Sequence, residues 1–415
     1  MKILWICNKM PQPLAKLLSI NVSAFGGWLD YLFQRIMESS EVEFVIAFPG
    51  KTFYHEKTDL ISYYSFKEDS NTGFQPIIEN ESPDVIHIWG TEFIHSYNAL
   101  KAANQAGLND RCIISIQGLV SIYGKYHYTE GLPNRVINNY MPRDLFRPSS
   151  VIQGKKDYLK KGQYEIKSIQ LVPYVIGRTD WDRAISYLMN PKLKYYHCNE
   201  CLRDSFYHQK WEIDSIERHS IFVSQSDYPI KGFHYMLDAL NYIVRYYPDV
   251  VLYTTGKDLL HLSVIDQLKI TTYQRYIIQL IKKYGLEEHV RFLGTLSESD
   301  MCARYCKSHV FVTPSTIENS PNSLGEAMML GCPVVSADVG GVKNMMEHGK
   351  EGFVYQSSAP YMCAYYVMLL FESNELAVSF SRAEREHAKK IFDRDTNYNE
   401  LIGIYNDIII NSQDK

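Results

Sequence analysis

Between Thr313 and Gly341 the chain reads Thr-Pro-Ser-Thr-Ile-Glu-Asn-Ser-Pro-Asn-Ser-Leu-Gly-Glu-Ala-Met-Met-Leu-Gly-Cys-Pro-Val-Val-Ser-Ala-Asp-Val-Gly-Gly. Two carboxylates stand out, Glu318 and Glu326. The pattern predicts a strand ending near Thr313, then a polar loop carrying Glu318. A helix starts near Pro321-Asn322-Ser323 and carries Glu326 in its first turns. Gly331 stops that helix and Pro333 opens the next strand. Carboxylates accept hydrogen bonds from sugar hydroxyls, and the N–H groups of a helix start receive a phosphate or a hydroxyl. The plainer alternative is an acidic helix start that only complements the helix dipole. A second carboxylate on the preceding loop favours a binding site. Lys231-Gly232, between strand 220–223 and helix 233–247, adds a cation at a tight turn. A solvated turn is its alternative.

Other positions invite weaker readings. Gly26-Gly27 precedes the first long helix, and two glycines let a backbone approach a ligand closely. His87 lies inside a strand-like run, 84–89, and reads as a satisfied core residue. Gln117 ends another such run before Gly118. Its amide can donate to a hydroxyl but cannot act as acid or base. Arg178, Asp180, Trp181 and Asp182 could read a sugar or form a capped helix start with an ion pair. Cys198/Cys201 and Cys302/Cys306 have spacings seen in zinc pairs, but neither has a convincing partner pair. Asp393-Arg394-Asp395 resembles an acidic metal triplet, though capping of the last helix by Asp395 fits better. The dinucleotide fingerprint G-x-G-x-x-G and the P-loop are absent, which counts against nicotinamide and kinase chemistry.

The motif from Glu318 through Gly-Glu-Ala-Met-Met-Leu-Gly-Cys-Pro-Val-Val resembles the retaining glycosyltransferases of family four, which have the GT-B fold. The resemblance implies roles for the residues above. Glu318 would contact the transferred sugar and Glu326 the ribose of a sugar nucleotide. Asn319, Ser320, Asn322, Ser323 and Leu324 would offer backbone amides to the sugar and diphosphate. Lys231 would face the diphosphate, and Gly26-Gly27 would form the loop near diphosphate and acceptor. Gly340-Gly341 matches the family's small turn after the next strand. Gln117 stands where many members carry His, and Ser226 where most carry an Arg of the phosphate clamp. Gln117, Arg178 and Asp180 are the acceptor-side candidates. The resemblance implies no cofactor and no metal, the donor being a nucleotide-diphosphate sugar.

The elements that must position these residues follow from the apolar pattern. Short apolar runs at 2–7, 42–48, 84–89 and 112–117 alternate with helical stretches at 27–38 and 92–106. Continuous apolar runs predict parallel strands covered on both faces. Between 118 and 190 the pattern blurs. A strand at 194–198, a helix from Glu200 and a linker near 208–218 follow. The alternation restarts with strands 220–223, 250–254, 289–293, 309–313 and 333–336, interleaved with helices 233–247, 272–284, 297–306 and 322–331. This predicts α/β architecture with two doubly wound Rossmann-like domains and a ligand cleft between them. The domains would span 1–210 and 211–392. A C-terminal helix, 393–415, would be able to cross back to the first.

Composition bounds the rest. The chain has 415 residues, 46% hydrophobic and 22% charged, an ordinary globular balance. A net charge of −4 excludes a general polybasic nucleic-acid binder. Eight cysteines are too few for a disulfide scaffold of this size. No apolar run approaches the roughly 20 residues of a membrane span, and the N-terminal apolar core is too short for a signal peptide. One segment is locally basic: Arg143, Arg147, Lys155, Lys156, Lys160, Lys161 and Lys167, with Tyr158 and Tyr164 between them. It reads as a solvated loop or as a contact for an anionic membrane or lipid diphosphate. The expectation is a cytoplasmic glycosyltransferase acting on a glycan or lipid-linked acceptor, either free in the cytoplasm or peripheral on the inner membrane face. A GT-B phosphorylase, a sugar-nucleotide epimerase and a weakly catalytic sugar-nucleotide-binding protein are the rivals.

Overall fold

The first apolar run is continuous because both faces of its strand are covered: Ile3, Leu4, Trp5 and Ile6 are all fully buried. The computed structural model of the chain describes residues 1–20, 27–58, 61–67, 73–145 and 148–413. They divide into two compact units. The first comprises 1–121, 159–203 and 392–415; the second comprises 122–158 and 204–391.

The first unit holds an eight-stranded sheet. Its strands are β1 (Lys2–Ile6), β2 (Glu43–Pro49), β3 (Tyr54–Lys57), β4 (Ser62–Phe66), β5 (Val85–Trp89), β6 (Cys112–Ser115), β7 (Tyr174–Gly177) and β8 (Lys194–His197). The order is β3-β4-β2-β1-β5-β6-β7-β8. Every pairing is parallel except β3 with β4, an antiparallel edge. The sequence predicts neither β3, β4 nor β7. Four- and five-residue strands rich in tyrosine and serine leave little periodicity to read.

The last helix, Arg394–Gln413, packs in this unit. Fully buried Tyr405 accepts from Trp5 Nε1 at 2.8 Å and lies 2.6 Å from His87 Nδ1; His87 Nε2 lies 2.7 Å from Ser115 Oγ. Tyr405 Oη and Ser115 Oγ thus sit on opposite ring nitrogens of His87, whose tautomer sets which of them donates. Burial pushes the His87 pKa down to about 3 and keeps the ring neutral. The helix is capped by Asp393, whose Oδ1 accepts from Thr396 N at 2.8 Å, not by Asp395. Asp395 instead accepts from the Tyr31 hydroxyl at 3.0 Å.

The second unit holds a six-stranded, all-parallel sheet, order β11-β10-β9-β12-β13-β14. The strands are β9 (Glu217–Val223), β10 (Val251–Thr254), β11 (Val290–Phe292), β12 (Ser308–Thr313), β13 (Val334–Asp338) and β14 (Phe353–Gln356). Its helix boundaries follow local signals closely. Thr271 and Gln274 form a capping box before helix Thr272–Tyr284, and Gly285 ends it with φ +65°.

Three expectations need correction. The segment 151–171 is a 21-residue helix, Val151–Leu171, not a loop. No helix starts at Glu200; a single turn, Ser205–His208, follows instead. The stretch near 208–218 is no free linker, because Trp211 is buried and donates from Nε1 to Ser308 O at 2.7 Å. The unit boundary therefore falls at 203/204, and 122–158 belongs to the second unit. His234 of helix Phe233–Ile243 bonds the Glu130 carbonyl at 3.2 Å, and Val151 N donates to Thr272 Oγ1 at 3.1 Å.

Candidate functional site

β9 and β12 are parallel neighbours, so the loops leaving their carboxyl ends are adjacent. After β9 the chain makes a 3₁₀ turn, Pro229–Lys231, and Gly232 follows with φ +66°. A side chain at Gly232 would overlap the Pro314 carbonyl oxygen. The two loops are therefore pressed backbone to backbone, and Thr316 N donates to Ile230 O at 2.9 Å.

This closeness brings Lys231 Nζ to 2.7 Å from Glu318 Oε1. Ser315 Oγ donates to the same oxygen at 2.7 Å. The Lys231 and Glu318 side chains are 20% and 10% exposed. Burial alone would lower the Lys231 pKa, but the Glu318 carboxylate and the Tyr228 hydroxyl beside it raise it, so the amine stays charged. Glu318 is held from a third side. Gly341 N donates to its carbonyl at 3.2 Å, and Gly340, with φ +51°, lies so close that a Cβ would overlap that oxygen.

The helix Asn322–Leu330 begins after Pro321, with no side-chain cap at its start. Glu326 is 5% exposed on it, and Tyr305 Oη fixes the first turn by donating to Ser323 O at 3.1 Å. Asn319 is buried, and Ser320 Oγ lies 3.5 Å from Met345 Sδ. Leu324 is fully buried, so only its backbone could serve a ligand. Ser226, at the position of the family's Arg, is 3% exposed and donates to Thr255 O at 2.9 Å. Glu318, Lys231, Asn319, Ser320, Asn322, Ser323, Leu324 and Glu326 thus lie in one unit, on two neighbouring loops and the helix that continues the second.

The acceptor-side candidates lie in the first unit. Gln117 Nε2 donates to Glu200 Oε1 at 3.0 Å, and Arg178 Nη1 donates to Glu200 Oε2 at 2.6 Å. Arg178 and Glu200 are 8% and 5% exposed. A buried pair with this geometry sets the Gln117 amide and leaves its Oε1 as an acceptor. Asp180 is exposed in the first turn of helix Asp180–Met189, whose capping box is Thr179 and Asp182. The Arg178–Asp182 segment is therefore a capped helix start plus a buried ion pair. Gly27 faces the Arg203 side chain, and Gly26 lies outside the described residues.

Sequence reasoning missed Glu200, Tyr228 and Ser315. Glu200 reaches Arg178 across 22 residues and Gln117 across 83, and no local pattern reports that. Among the described residues no group of three or more His, Cys, Asp or Glu could hold a metal ion. No helix described is long and apolar enough to cross a membrane.

Residues 204–387 match the family model of the glycosyl transferases group 1. By that match the segment is similar to a group 1 glycosyl transferase domain. Its limits nearly coincide with the long segment 204–391 of the second unit. The chain is similar to a D-inositol 3-phosphate glycosyltransferase of Corynebacterium glutamicum, 27% identical over 132 residues, which is 32% of this chain and 31% of the relative. The chain spans less than half the length of the curated relatives it matches first. Among solved structures, sucrose-phosphate synthase from Thermosynechococcus elongatus aligns with 99% of this chain and all of its own, with a TM-score of 0.68 at 12% identity. Anabaena HepE in complex with UDP-glucose aligns with 98% of this chain and all of its own, at 0.65 and 16% identity. At these identities the likeness is one of fold. The two α/β units match the fold of GT-B glycosyltransferase structures, and the segment that matches the group 1 model lies in the second.

Proposed function

We propose that this protein transfers a sugar, with retention of anomeric configuration, from a nucleoside diphosphate donor to a hydroxyl of a glycan or lipid-linked acceptor. The observation that carries this reading is the buried Lys231–Glu318 pair, set beside the uncapped start of helix Asn322–Leu330. The UDP-glucose held by HepE supports the donor class.

In this reading the diphosphate lies against the helix start and draws Lys231 from Glu318. Charge grows on the diphosphate as the glycosidic bond breaks, and a preorganised ammonium in a dry site stabilises it strongly. Glu318, released from the lysine, accepts hydrogen bonds from the transferred sugar. Glu326 holds the ribose. The acceptor hydroxyl attacks the face that the diphosphate leaves and passes its proton to the departing phosphate oxygen. Lys231 and the helix amides take the part a metal would play elsewhere, so transfer proceeds without one.

The test is a thermal-shift screen of sugar nucleotides, followed by transfer assays with the selected donor in EDTA. Stabilisation by one donor class and turnover that survives EDTA are expected. Loss of turnover in EDTA with recovery on adding Mg²⁺ or Mn²⁺ would sink the metal-free mechanism. Binding without transfer or hydrolysis would select a binding protein, and phosphorolysis would select a phosphorylase.

A further inference from the structure

The chain has eight cysteines, all within the described residues, and seven of them are buried; Cys306 alone is partly exposed. Burial in apolar surroundings raises a thiol's pKa and makes it inert. That holds for Cys7, Cys112, Cys198, Cys201, Cys332 and Cys363, each of which burial pushes up. Cys306 goes the other way. A hydrogen bond with the Cys302 thiol does most to lower its pKa, and the Arg385 guanidinium adds to this against the opposing effect of burial. Arg385 is fixed in place, because its Nη1 donates to Met329 O at 2.6 Å and to Gln209 O at 2.9 Å.

The helix makes the pair. Cys302 and Cys306 stand four residues apart on helix Glu298–Lys307, so both side chains project from one face, a turn apart. Cys302 is fully buried, and its Sγ lies 3.6 Å from Ser205 O. The Glu326 carboxylate is close enough to act on it electrostatically. Between the two cysteines, Tyr305 is wedged among Phe206, Phe222 and Phe311, with ring centroids 5.9, 5.0 and 4.9 Å away. Its hydroxyl donates to Ser323 O. One helical turn thus carries the partly exposed thiol, a second thiol bonded to it, and the residue that fixes the start of helix Asn322–Leu330.

We propose that Cys302 and Cys306 form a thiol modification site, at which a low-molecular-weight disulfide converts the pair into an internal disulfide and thereby weakens nucleotide binding. An accessible thiolate beside a resolving cysteine is the arrangement such oxidation requires. The Cys306 thiolate attacks one sulfur of the external disulfide, whose S–S bond breaks; a mixed disulfide forms and one thiolate leaves. Cys302 gives up its proton, attacks the Cys306 sulfur of that mixed disulfide and expels the second thiolate. Two protein thiols are oxidised, one external disulfide is reduced to two thiols, and the two protons go to the departing thiolates. Closure reaches the helix start through distance. Cβ atoms four residues apart on a helix are about 5–6 Å apart, whereas a disulfide holds them at about 3.5–4.5 Å. The last turn of helix Glu298–Lys307 must therefore contract, and Tyr305 moves with it and loosens its hold on Ser323. That effect rests on the glycosyl-transfer reading, in which this helix start holds the diphosphate; the thiol chemistry stands without it.

Oxidised glutathione added to the full chain, followed by intact mass and peptide mapping, tests it. The wild type passes through a glutathione adduct on Cys306 and ends two hydrogens lighter, with Cys302 joined to Cys306. Cys302→Ala halts at the adduct, and Cys306→Ser forms neither product. Phenylarsine oxide, which bridges neighbouring thiols, needs no variant: the reduced wild type captures it at these two cysteines. By calorimetry the bridged protein binds UDP roughly fivefold more weakly than the reduced one, the worth of one neutral hydrogen bond, and dithiothreitol restores the affinity. Reaction at Cys198 and Cys201 in preference, or a wild type that stays at the adduct, would overturn the modification site. Unchanged UDP affinity after bridging would overturn its link to the helix start. A chain that forms the bridge as described but in its reduced form binds neither UDP nor UDP-glucose would support the modification site and count against the transferase reading.

Discussion

Lys231 and Glu318 compensate each other at 2.7 Å in a place where either charge alone would be costly. Removing one partner of such a pair leaves the other buried and unpaired. The proposed donor resolves this by offering its diphosphate to the lysine and its sugar hydroxyls to the glutamate. Three substitutions separate the roles. If Lys231 acts on the leaving diphosphate as proposed, Lys231→Ala lowers turnover strongly even at saturating donor. Glu326→Ala weakens the bare nucleoside diphosphate by roughly ten- to hundredfold, the worth of a charge-assisted hydrogen bond. Glu318→Gln keeps an oxygen for Ser315 and relaxes the grip on Lys231. Affinity for the bare diphosphate is therefore unchanged or improved while transfer falls. Equal losses of nucleotide affinity at both glutamates would show the role assignment to be wrong. These residues were legible in the sequence because strand, loop and helix start are contiguous around them. Glu200 was not, since its meaning depends on Gln117 and Arg178, far away in the chain.

Two glycines set the loops that hold the pair. Gly232 and Gly340 have positive φ, and each sits where a Cβ would overlap a backbone carbonyl, of Pro314 and Glu318 respectively. Backbone cannot yield as a flexible side chain can. Gly340→Ala should therefore displace Glu318, lowering both the melting temperature and donor affinity. Gly107→Ala is the control. Gly107 also has positive φ, but nothing lies within 4 Å of the added carbon, so only the local strain of roughly 1 kcal/mol appears. Equal effects at the two positions would remove the role given to the contact with Glu318. Helix Val151–Leu171 is the element the sequence hid. Its lysines and two glycines disguise the period, yet the glycines have a packing reason. A Cβ at Gly154 would overlap the Tyr128 hydroxyl, and one at Gly162 would reach Ser121 Cα at 2.6 Å. Lys156, Lys160, Lys161 and Lys167 are exposed on this helix, which turns a basic loop into an ordered basic stripe. Arg147 lies outside the described residues. Replacing Lys155, Lys156, Lys160 and Lys161 by Ser should reduce binding to anionic liposomes, most clearly at low salt. Unchanged binding would leave these lysines as a solvated face.

At the scale of the whole molecule, the two-domain α/β class was legible because parallel strands buried on both faces leave continuous apolar runs. Segment membership was not, because 122–158 leaves the first unit and packs with the second through contacts such as His234 to the Glu130 carbonyl. The final helix follows the second unit in the chain but belongs to the first. What ties it there is a buried hydrogen-bond chain, Trp5 to Tyr405 to His87 to Ser115. Tyr405→Phe keeps the ring and removes the one hydroxyl that serves both neighbours. It leaves the Trp5 N–H and His87 Nδ1 without that partner in the core, at a cost of about 1–3 kcal/mol each. A domain of this size loses roughly 2–4 °C in melting temperature per kcal/mol. Scanning calorimetry should thus show the transition of the first unit falling by several degrees, while the transition that a bound nucleotide raises stays in place. A uniform shift of both transitions would mean that the units unfold as one. No shift at all would mean that the chain of hydrogen bonds does not hold the helix.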